Sequence, residues 1–138
     1  MELNAITGEV VRSAIKVHSL LGPGLLESAY RRCLVHDLSR RGLKVETEYA
    51  LPIEFDGLLI DAGYRVDLLV EDVVIVEVKA VIKVLPIHQA QLLSYLRLSD
   101  RPVGLLINFH VWRLTDGIQR MVNSFRWNKE SVSPSDLT

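Results

Sequence analysis

Apolar residues recur at three- and four-residue steps through the first forty positions of the chain. Between residues 4 and 21 this repeat predicts an amphipathic helix, with an apolar stripe of Ile6, Val10, Ala14, Val17 and Leu21. The segment "LGPG" at 21–24 interrupts the pattern. A second helix is predicted from there to about Arg41, with a stripe of Leu26, Tyr30, Leu34 and Leu38. The two helices are expected to form a hairpin.

The composition becomes strand-like from Val45. Three runs, "VETEYALPIEF", "LLIDAGYRVDLLV" and "VVIVEVKA", are rich in β-branched and apolar residues, and Asp56-Gly57 is a typical turn pair between the first two. These runs predict an antiparallel meander. Pro86 suits the first turn of a third helix, "PIHQAQLLSYLRLSD". A short apolar strand, "VGLLINF", and an edge strand in "VWRLTDG" are expected after it.

The order of these elements predicts a mixed α/β (α+β) fold, in which helices cover a central sheet within one domain at residues 1–127. A chain of 138 residues can bury a sizeable core without disulfides or a structural metal. The last segment, "NKESVSPSDLT" at 128–138, is polar and lacks an apolar period, so we expect a flexible tail.

Charge, cysteine content and the length of apolar runs limit the classes of function that this chain can have. With 16 basic and 17 acidic residues the formal net charge is -1, so attraction to nucleic acid requires a local patch. The single cysteine, Cys33, cannot form an internal disulfide, and the sequence has no CxxC pair. Charged residues interrupt every apolar run, and the first residues lack a signal-type apolar stretch. We therefore expect a cytoplasmic protein without membrane contact.

Charged residues stand inside the strand "VVIVEVK". Side chains alternate along a strand, so Glu77 and Lys79 share a face with Val73 and Ile75. Both faces of this strand look buried, and glutamate and lysine are rarely buried unless they are paired or bound. The strand is therefore expected to open its charged end into a site. A Glu-x-Lys pair at a solvated sheet edge is the alternative reading.

The position of Asp67 relative to Glu77 depends on the turn between their strands. A two-residue turn at Glu71-Asp72 would pair residue 66 with residue 77 and leave the two acids on opposite faces. A three-residue loop, Glu71 to Val73, or a β-bulge would place Asp67 opposite Glu77. We predict this second register.

Two neighbouring carboxylates repel each other, which raises the pKa of one or recruits a cation. Oxygen ligands of this kind suit Mg²⁺ or Mn²⁺, and the main-chain carbonyl of Val78 could complete the protein ligands. Lys79, on the same face as Glu77, would direct a positive charge at a phosphate or at the attacking water.

This arrangement of Asp67 followed by Glu77-x-Lys79 on the next strand resembles the catalytic core of the PD-(D/E)XK nuclease superfamily. In helix two, "GLLESAY" at 24–30 is similar to the GxxExxY signature of one family in that superfamily. The segments "PIHQAQLLSYL" and "GLLINF" resemble later parts of the same pattern, and the similarity runs from about residue 4 to residue 124. The proline of the "PD" name is absent, because Val66 precedes Asp67.

The resemblance implies a restriction-endonuclease-like core and a set of site residues. Asp67 and Glu77 would bind the metal ion, and Lys79 would orient or activate water. Glu27 would be an additional acid from the helix before the sheet. In helix three, Gln91 would line the site.

Without the resemblance, the candidate site residues on helices can also be explained by structural roles. Glu27 is also a first-turn carboxylate that favours the helix dipole. His88, Gln91 and Tyr95 fall on one helix face, where packing with polar tips at the sheet edge explains them as well as a site does. Tyr30, like His88 and Tyr95, is therefore an accessory candidate only.

Metal-assisted hydrolysis of phosphodiester bonds in nucleic acid, with DNA as the expected substrate, is the resulting hypothesis. Backbone contacts are expected from cations that are equally well solvated surface charges, namely Arg31, Arg32, Arg40, Arg41, Lys83 and Arg97. One alternative is a catalytically silent nuclease-fold module that binds nucleic acid or a protein. Another is a structural ion pair between the acids and Lys79. A homodimer is also expected, with "VWRL" or helix one as its contacts.

Overall fold

A computed structural model describes residues 1–123 of the chain. Three α-helices, one 3-10 helix and seven strands follow one another along these residues. They are α1 (Leu3–Leu21), α2 (Glu27–Arg40), β1 (Val45–Ala50), β2 (Ile53–Phe55), β3 (Leu58–Ile60), β4 (Arg65–Val70), β5 (Val74–Lys79), α3 (Pro86–Ser99), β6 (Val103–Asn108), the 3-10 helix (Leu114–Gly117) and β7 (Ile118–Val122). The expected tail at 128–138 and the domain limit at 127 lie outside the described residues.

Five strands form one sheet in the order β1-β4-β5-β6-β7. The β5 and β6 strands run parallel, and every other neighbouring pair is antiparallel. The helix α3 connects the two parallel strands, as a crossover between parallel strands requires. This mixed sheet with flanking helices confirms the predicted α/β fold class.

The predicted meander differs from the observed strands. The first run is split at Leu51-Pro52 into β1 and β2, because proline lacks the N–H that a ladder needs. The second run is split into β3 and β4 by a segment that includes Gly63, whose φ is 80°. As a result β2 and β3 form a separate two-stranded sheet, and β1 pairs directly with β4.

Two further expectations about element limits are wrong. Leu26 precedes the first residue of α2 and is 76% exposed, so it does not belong to the buried stripe of that helix. The segment "VWRLTDG" forms bends and the 3-10 helix rather than a strand, and the edge strand β7 begins only at Ile118. The predicted limits of α1 agree with the structure to within one residue.

Apolar side chains from both faces of the sheet form two cores. One face packs against α1 and α2, where Val10, Leu34 and Leu38 meet β-strand residues such as Val76 and Leu105. The opposite face packs against α3 through residues that include Leu92, Leu96, Ile75 and Leu106. Each such buried side chain contributes on the order of 2 kcal/mol through burial. The strand β5 therefore lies between two helical layers.

A buried acid connects the first two helices. Asp37 of α2 accepts hydrogen bonds from Ser13 Oγ at 2.7 Å and from Lys16 Nζ at 2.8 Å, both on α1. Arg41 Nε donates to the same carboxylate at 2.8 Å. Burial alone would raise the pKa of Asp37, but these hydrogen bonds, led by the one from Lys16, hold it well below its usual range. Asp37 is thus ionised and links α2 to α1.

Within the described part of the chain, no helix combines the length and apolar character needed to cross a lipid bilayer.

Candidate active site

The strands β4 and β5 bring two carboxylates together. Their ladder pairs Leu68 with Val76 and Val70 with Val74, with a three-residue loop between the strands. This is the register predicted from the sequence, and it places Asp67 opposite Glu77. Both residues at the start of the loop, Glu71 and Asp72, have positive φ values of 51° and 58°.

The two acids are joined crosswise through the main chain. The N–H of Asp67 donates to Glu77 Oε1 at 3.1 Å, and the N–H of Val78 donates to Asp67 Oδ2 at 2.8 Å. The last main-chain ladder pair before them is Leu68 with Val76. Beyond this pair, side-chain oxygens therefore accept hydrogen bonds that main-chain carbonyls accept in a regular ladder. The N–H of Asp67 holds the Glu77 carboxylate, and the N–H of Val78 holds the Asp67 carboxylate.

The strand β4 changes face at Asp67. Val66 packs in the core beneath α3, whereas Leu68, two residues later, packs in the core beneath α1 and α2. Residues two apart on a regular strand share a face, so the strand twists sharply at the intervening aspartate. Glu48, next to this point on β1, has a positive φ of 50°. At this point the Asp67 carboxylate lies beside β5, where it accepts from the N–H of Val78.

Burial and charge repulsion make Glu77 a poor place for a negative charge. Its side chain is 5% exposed. Burial first, and then the charge of Asp67, raise the pKa of Glu77 to about 8, while Lys79 lowers it. In the absence of a cation, the site therefore carries a proton near neutral pH.

Lys79 ends β5 two residues after Glu77 and is half-buried. Its ammonium forms no hydrogen bond or ion pair with any residue between 1 and 123. Asn108, its neighbour on β6, is buried and fixes the chain beyond Lys79. The Asn108 side chain accepts from the N–H of Val81 at 3.1 Å and donates to the Val81 carbonyl at 2.9 Å. Asn108 was not among the predicted residues, although a single polar residue near the end of an apolar strand was a usable signal.

Arg31 is the other residue that the structure adds to the centre of the site. It lies on α2, and its Nη1 is 3.5 Å from Asp67 Oδ1. The sequence offered Arg31 as a contact to the nucleic-acid backbone or a solvated surface charge, and it did not predict this contact with Asp67, which depends on how α2 lies across β4. Both partners are largely shielded, with side-chain exposures of 27% and 16%.

Glu27 is not brought into the acid pair. It is the first residue of α2 and is half-buried, which agrees with a carboxylate near a helix N-terminus. Among the described residues, no three His, Cys, Asp or Glu side chains cluster closely enough to hold a metal ion. Asp67 and Glu77 are thus the two acids that the structure brings together, and Glu27 does not form a three-acid cluster with them.

The contacts of Tyr30 stabilise the fold. Its ring is fully buried and stacks on Phe109 at a centroid distance of 4.5 Å. Its hydroxyl donates to the carbonyl of Gly22 and accepts from the N–H of Leu25 at 3.0 Å. The tyrosine therefore fixes the loop that leads into α2 and so positions Glu27.

The predicted residues of α3 take different positions. Gln91 and Tyr95 line a cavity of about 560 Å³ together with Tyr64 and Ile53. Burial, and then the charges of Glu77 and Asp67, raise the pKa of Tyr95 to about 12, so this hydroxyl lies on the side of the acid pair. His88 is used elsewhere, because its Nδ1 accepts from the N–H of Leu85 at 3.0 Å and caps the start of α3.

The donor set suits a hard divalent cation. Each carboxylate uses one oxygen for a main-chain N–H, which leaves Glu77 Oε2 for another ligand, while Asp67 Oδ1 accepts from Arg31 Nη1 at the long distance of 3.5 Å. The N–H and C=O of one strand residue point to the same side, so the carbonyl of Val78 also faces β4, beyond the last ladder pair. Magnesium needs only one or two protein carboxylates beside water and substrate oxygens. The residues that are present therefore fit Mg²⁺ or Mn²⁺.

Comparison with known proteins gives one finding. Residues 4–121 match a family model described as the PD-(D/E)XK nuclease superfamily. No curated protein and no solved structure gave a match.

Proposed function

Because this chain belongs to the PD-(D/E)XK nuclease superfamily, we propose that it is a metal-dependent nuclease that hydrolyses phosphodiester bonds of nucleic acid, with DNA as its substrate. The crosswise pairing of Asp67 and Glu77 is the observation that carries this proposal. A buried carboxylate with a raised pKa beside a second carboxylate requires either a proton or a cation. The segment "GLLESAY" at 24–30 supports placing the chain in the GxxExxY family.

Asp67, Glu77 and the carbonyl of Val78 would hold Mg²⁺ or Mn²⁺. When bound, such an ion supplies charge neutralisation at the scissile phosphate and lowers the pKa of a coordinated water. The chain's own residues align the substrate around that position. Lys79 directs its unpaired ammonium to the same face as Glu77 and stabilises negative charge that develops on the phosphate.

Residues of the two helical layers complete the proposed site. Arg31 contacts Asp67 and is placed to exchange this contact for a phosphate oxygen when substrate arrives. Gln91 and Tyr95 line the cavity on the α3 side and would orient the attacking water or a nucleotide. Glu27 would act from the N-terminus of α2, without direct contact with the acid pair.

A second candidate function is favoured by the ion pair between Arg31 and Asp67. An arginine that neutralises one acid permits a nuclease-fold module that binds nucleic acid or a protein without cleaving. Lys79 is the discriminating residue, because a binding module has no need for an unpaired, half-buried lysine beside two acids.

Metal binding is the first test, since it needs no assumption about the substrate. Electron spin resonance should show Mn²⁺ binding by the unaltered chain, and at least about tenfold weaker binding by Asp67→Asn. Asp116→Asn, which removes an exposed acid of the 3-10 helix, should bind as the unaltered chain does. Equal binding by all three chains would contradict the assignment of the site.

Cleavage is the second test. Nucleic acid incubated with the chain and Mg²⁺ should be cut, and Lys79→Ala should reduce the rate by about 10² or more if its charge acts in the transition state. Lys44→Ala, a change at an exposed lysine that pairs with Glu46, is the matched control. Metal binding without cleavage, combined with salt-dependent retention of nucleic acid, would favour the binding module.

A further inference from the structure

The strands β2 and β3, residues 53–60, form an apolar hairpin that projects from the fold. They pair only with each other, apart from the five-stranded sheet. Phe55, Leu58 and Leu59 are 70%, 58% and 69% exposed. A two-stranded hairpin is marginally stable in water, and a contiguous exposed apolar patch marks an interaction site. The exposed apolar side chains of this hairpin are therefore expected to pack against a binding partner.

The charge of the apolar hairpin excludes a nucleic-acid backbone as that cover. Residues 51–64 contain no lysine or arginine. Glu54 and Asp56 are exposed and form no hydrogen bond or ion pair with the described residues. Acidic side chains beside apolar ones repel phosphates. The partner must therefore offer an apolar surface edged by positive charge.

A surface of this kind lies between α1 and α2. There the two helices border a groove of about 850 Å³, which we call the helix groove. Its apolar wall includes Val17, Leu20 and Leu21, and Leu20 is 76% exposed. Arg32 and Arg40 line the same groove and form no ion pair within the described part of the chain. The groove thus has an apolar wall and two cations without partners.

We propose that the apolar hairpin of one copy docks into the helix groove of a second copy. Phe55, Leu58 and Leu59 would cover the apolar wall, while Glu54 and Asp56 would face Arg32 and Arg40. The lining residues of the groove come from α1, from α2 and from Arg41 directly after α2, so the hairpin does not fill it within one chain. The two surfaces match in apolar character and are opposite in charge, which favours this association over other pairings.

The contact is between two different surfaces, so each copy has one surface of each kind to offer. Where both contacts form between the same two copies, the assembly is a two-fold dimer. The hairpin base also borders the site, since Ile53 lines the cavity that contains Gln91 and Tyr95. Docking would therefore place the helices of one copy beside the cavity of the other. Of the two dimer contacts expected from the sequence, "VWRL" and helix one, the proposed contact uses only part of helix one.

Charge reversal provides a sharp test. Glu54→Lys together with Asp56→Asn changes the charge of residues 53–60 from -2 to +1, so that a positive hairpin meets an unchanged positive groove. Arg32→Glu with Arg40→Glu makes the groove negative, so that it meets an unchanged negative hairpin. Each variant alone should self-associate at least about tenfold more weakly than the unaltered chain in sedimentation velocity. An equal mixture of the two should associate again, because the mixture offers opposite charges at both contacts.

Three controls make the test decisive. Circular dichroism should show unchanged thermal unfolding, since all the altered residues are exposed. Leu59→Ser should weaken association without changing charge, because it removes apolar cover from the hairpin. An unaltered chain that stays monomeric at all concentrations would overturn the proposal, as would failure of the mixture to associate. Loss of nucleic-acid binding in the groove variant, with no change in association, would assign the groove to nucleic acid and also overturn it.

Discussion

Replacing Glu77 by glutamine should change how stability depends on pH in the metal-free protein. In the folded chain, burial and the charge of Asp67 raise the pKa of Glu77 to about 8 from its ordinary value of 4.5. Between these values the folded chain keeps a proton that the unfolded chain has released. The free energy of unfolding of the unaltered chain must then fall as pH rises through this window. In Glu77→Gln the titrating group is gone, and this contribution to the fall disappears.

The structure sets the size of the effect. One proton bound only by the folded state changes the free energy of unfolding by about 1.4 kcal/mol per pH unit. Between pH 5 and pH 8 the difference between Glu77→Gln and the unaltered chain should therefore grow by roughly 3 kcal/mol. A typical domain has a total stability of about 5 to 15 kcal/mol, so this change is measurable. Glutamine can still accept the N–H of Asp67 through its Oε1, which keeps the comparison close.

Urea unfolding followed by circular dichroism, with EDTA present, measures the effect at several pH values. Glu54→Gln, which removes an exposed glutamate, should show a constant difference from the unaltered chain across the same range. In separate samples without EDTA, Mn²⁺ added at pH 8 should stabilise the unaltered chain more than Glu77→Gln, because binding to the folded state adds stability. A difference between Glu77→Gln and the unaltered chain that does not change with pH would refute the account of the acid pair.

Three other changes test the surroundings of the site by urea unfolding. Asp37→Asn should cost about 1 to 3 kcal/mol at neutral pH, because it weakens a buried, charged hydrogen-bond network. Since the pKa of Asp37 is lowered in the fold, this cost should shrink as pH falls below about 4, opposite in sign to the effect at Glu77. Gly104→Ala should cost about 1 to 3 kcal/mol, because a Cβ at this position would lie 2.7 Å from Leu92 Cδ1. Tyr30→Phe should lower the free energy of unfolding by about 1 kcal/mol. It should also speed hydrogen exchange at the N–H of Leu25, which donates to the Tyr30 hydroxyl.

The helices and the register of the acid pair could be predicted from the sequence for different reasons. The apolar repeat of α1 is long and regular, so its limits follow from periodicity alone. The loop between β4 and β5 allowed two registers, and the chemistry of paired acids favoured the one that the structure has. Local pattern was insufficient at 45–70, where Pro52 and Gly63 divide runs that look continuous in composition.

Features that depend on distant contacts could not be predicted from the sequence. The contact of Arg31 with Asp67 requires the position of α2 over β4, which no local pattern specifies. The change of face at Asp67 breaks the alternation on which strand patterns rely. Glu27 was expected to act with the acids; among the described residues it forms no three-acid cluster with them, and its role as an additional acid stays a prediction.

The position of the acid pair in the sheet explains why its repulsion persists. Along β5 the residues from Val74 to Val78 are buried between β4 and β6 and between two helical layers. A charged residue at a sheet edge could turn toward water, but Glu77 has no such route. The neighbouring strands hold both carboxylates through main-chain donors, so the fold cannot relieve the repulsion by moving one of them. A proton or a cation can relieve it, and this constraint is the physical basis of the proposed divalent-ion site.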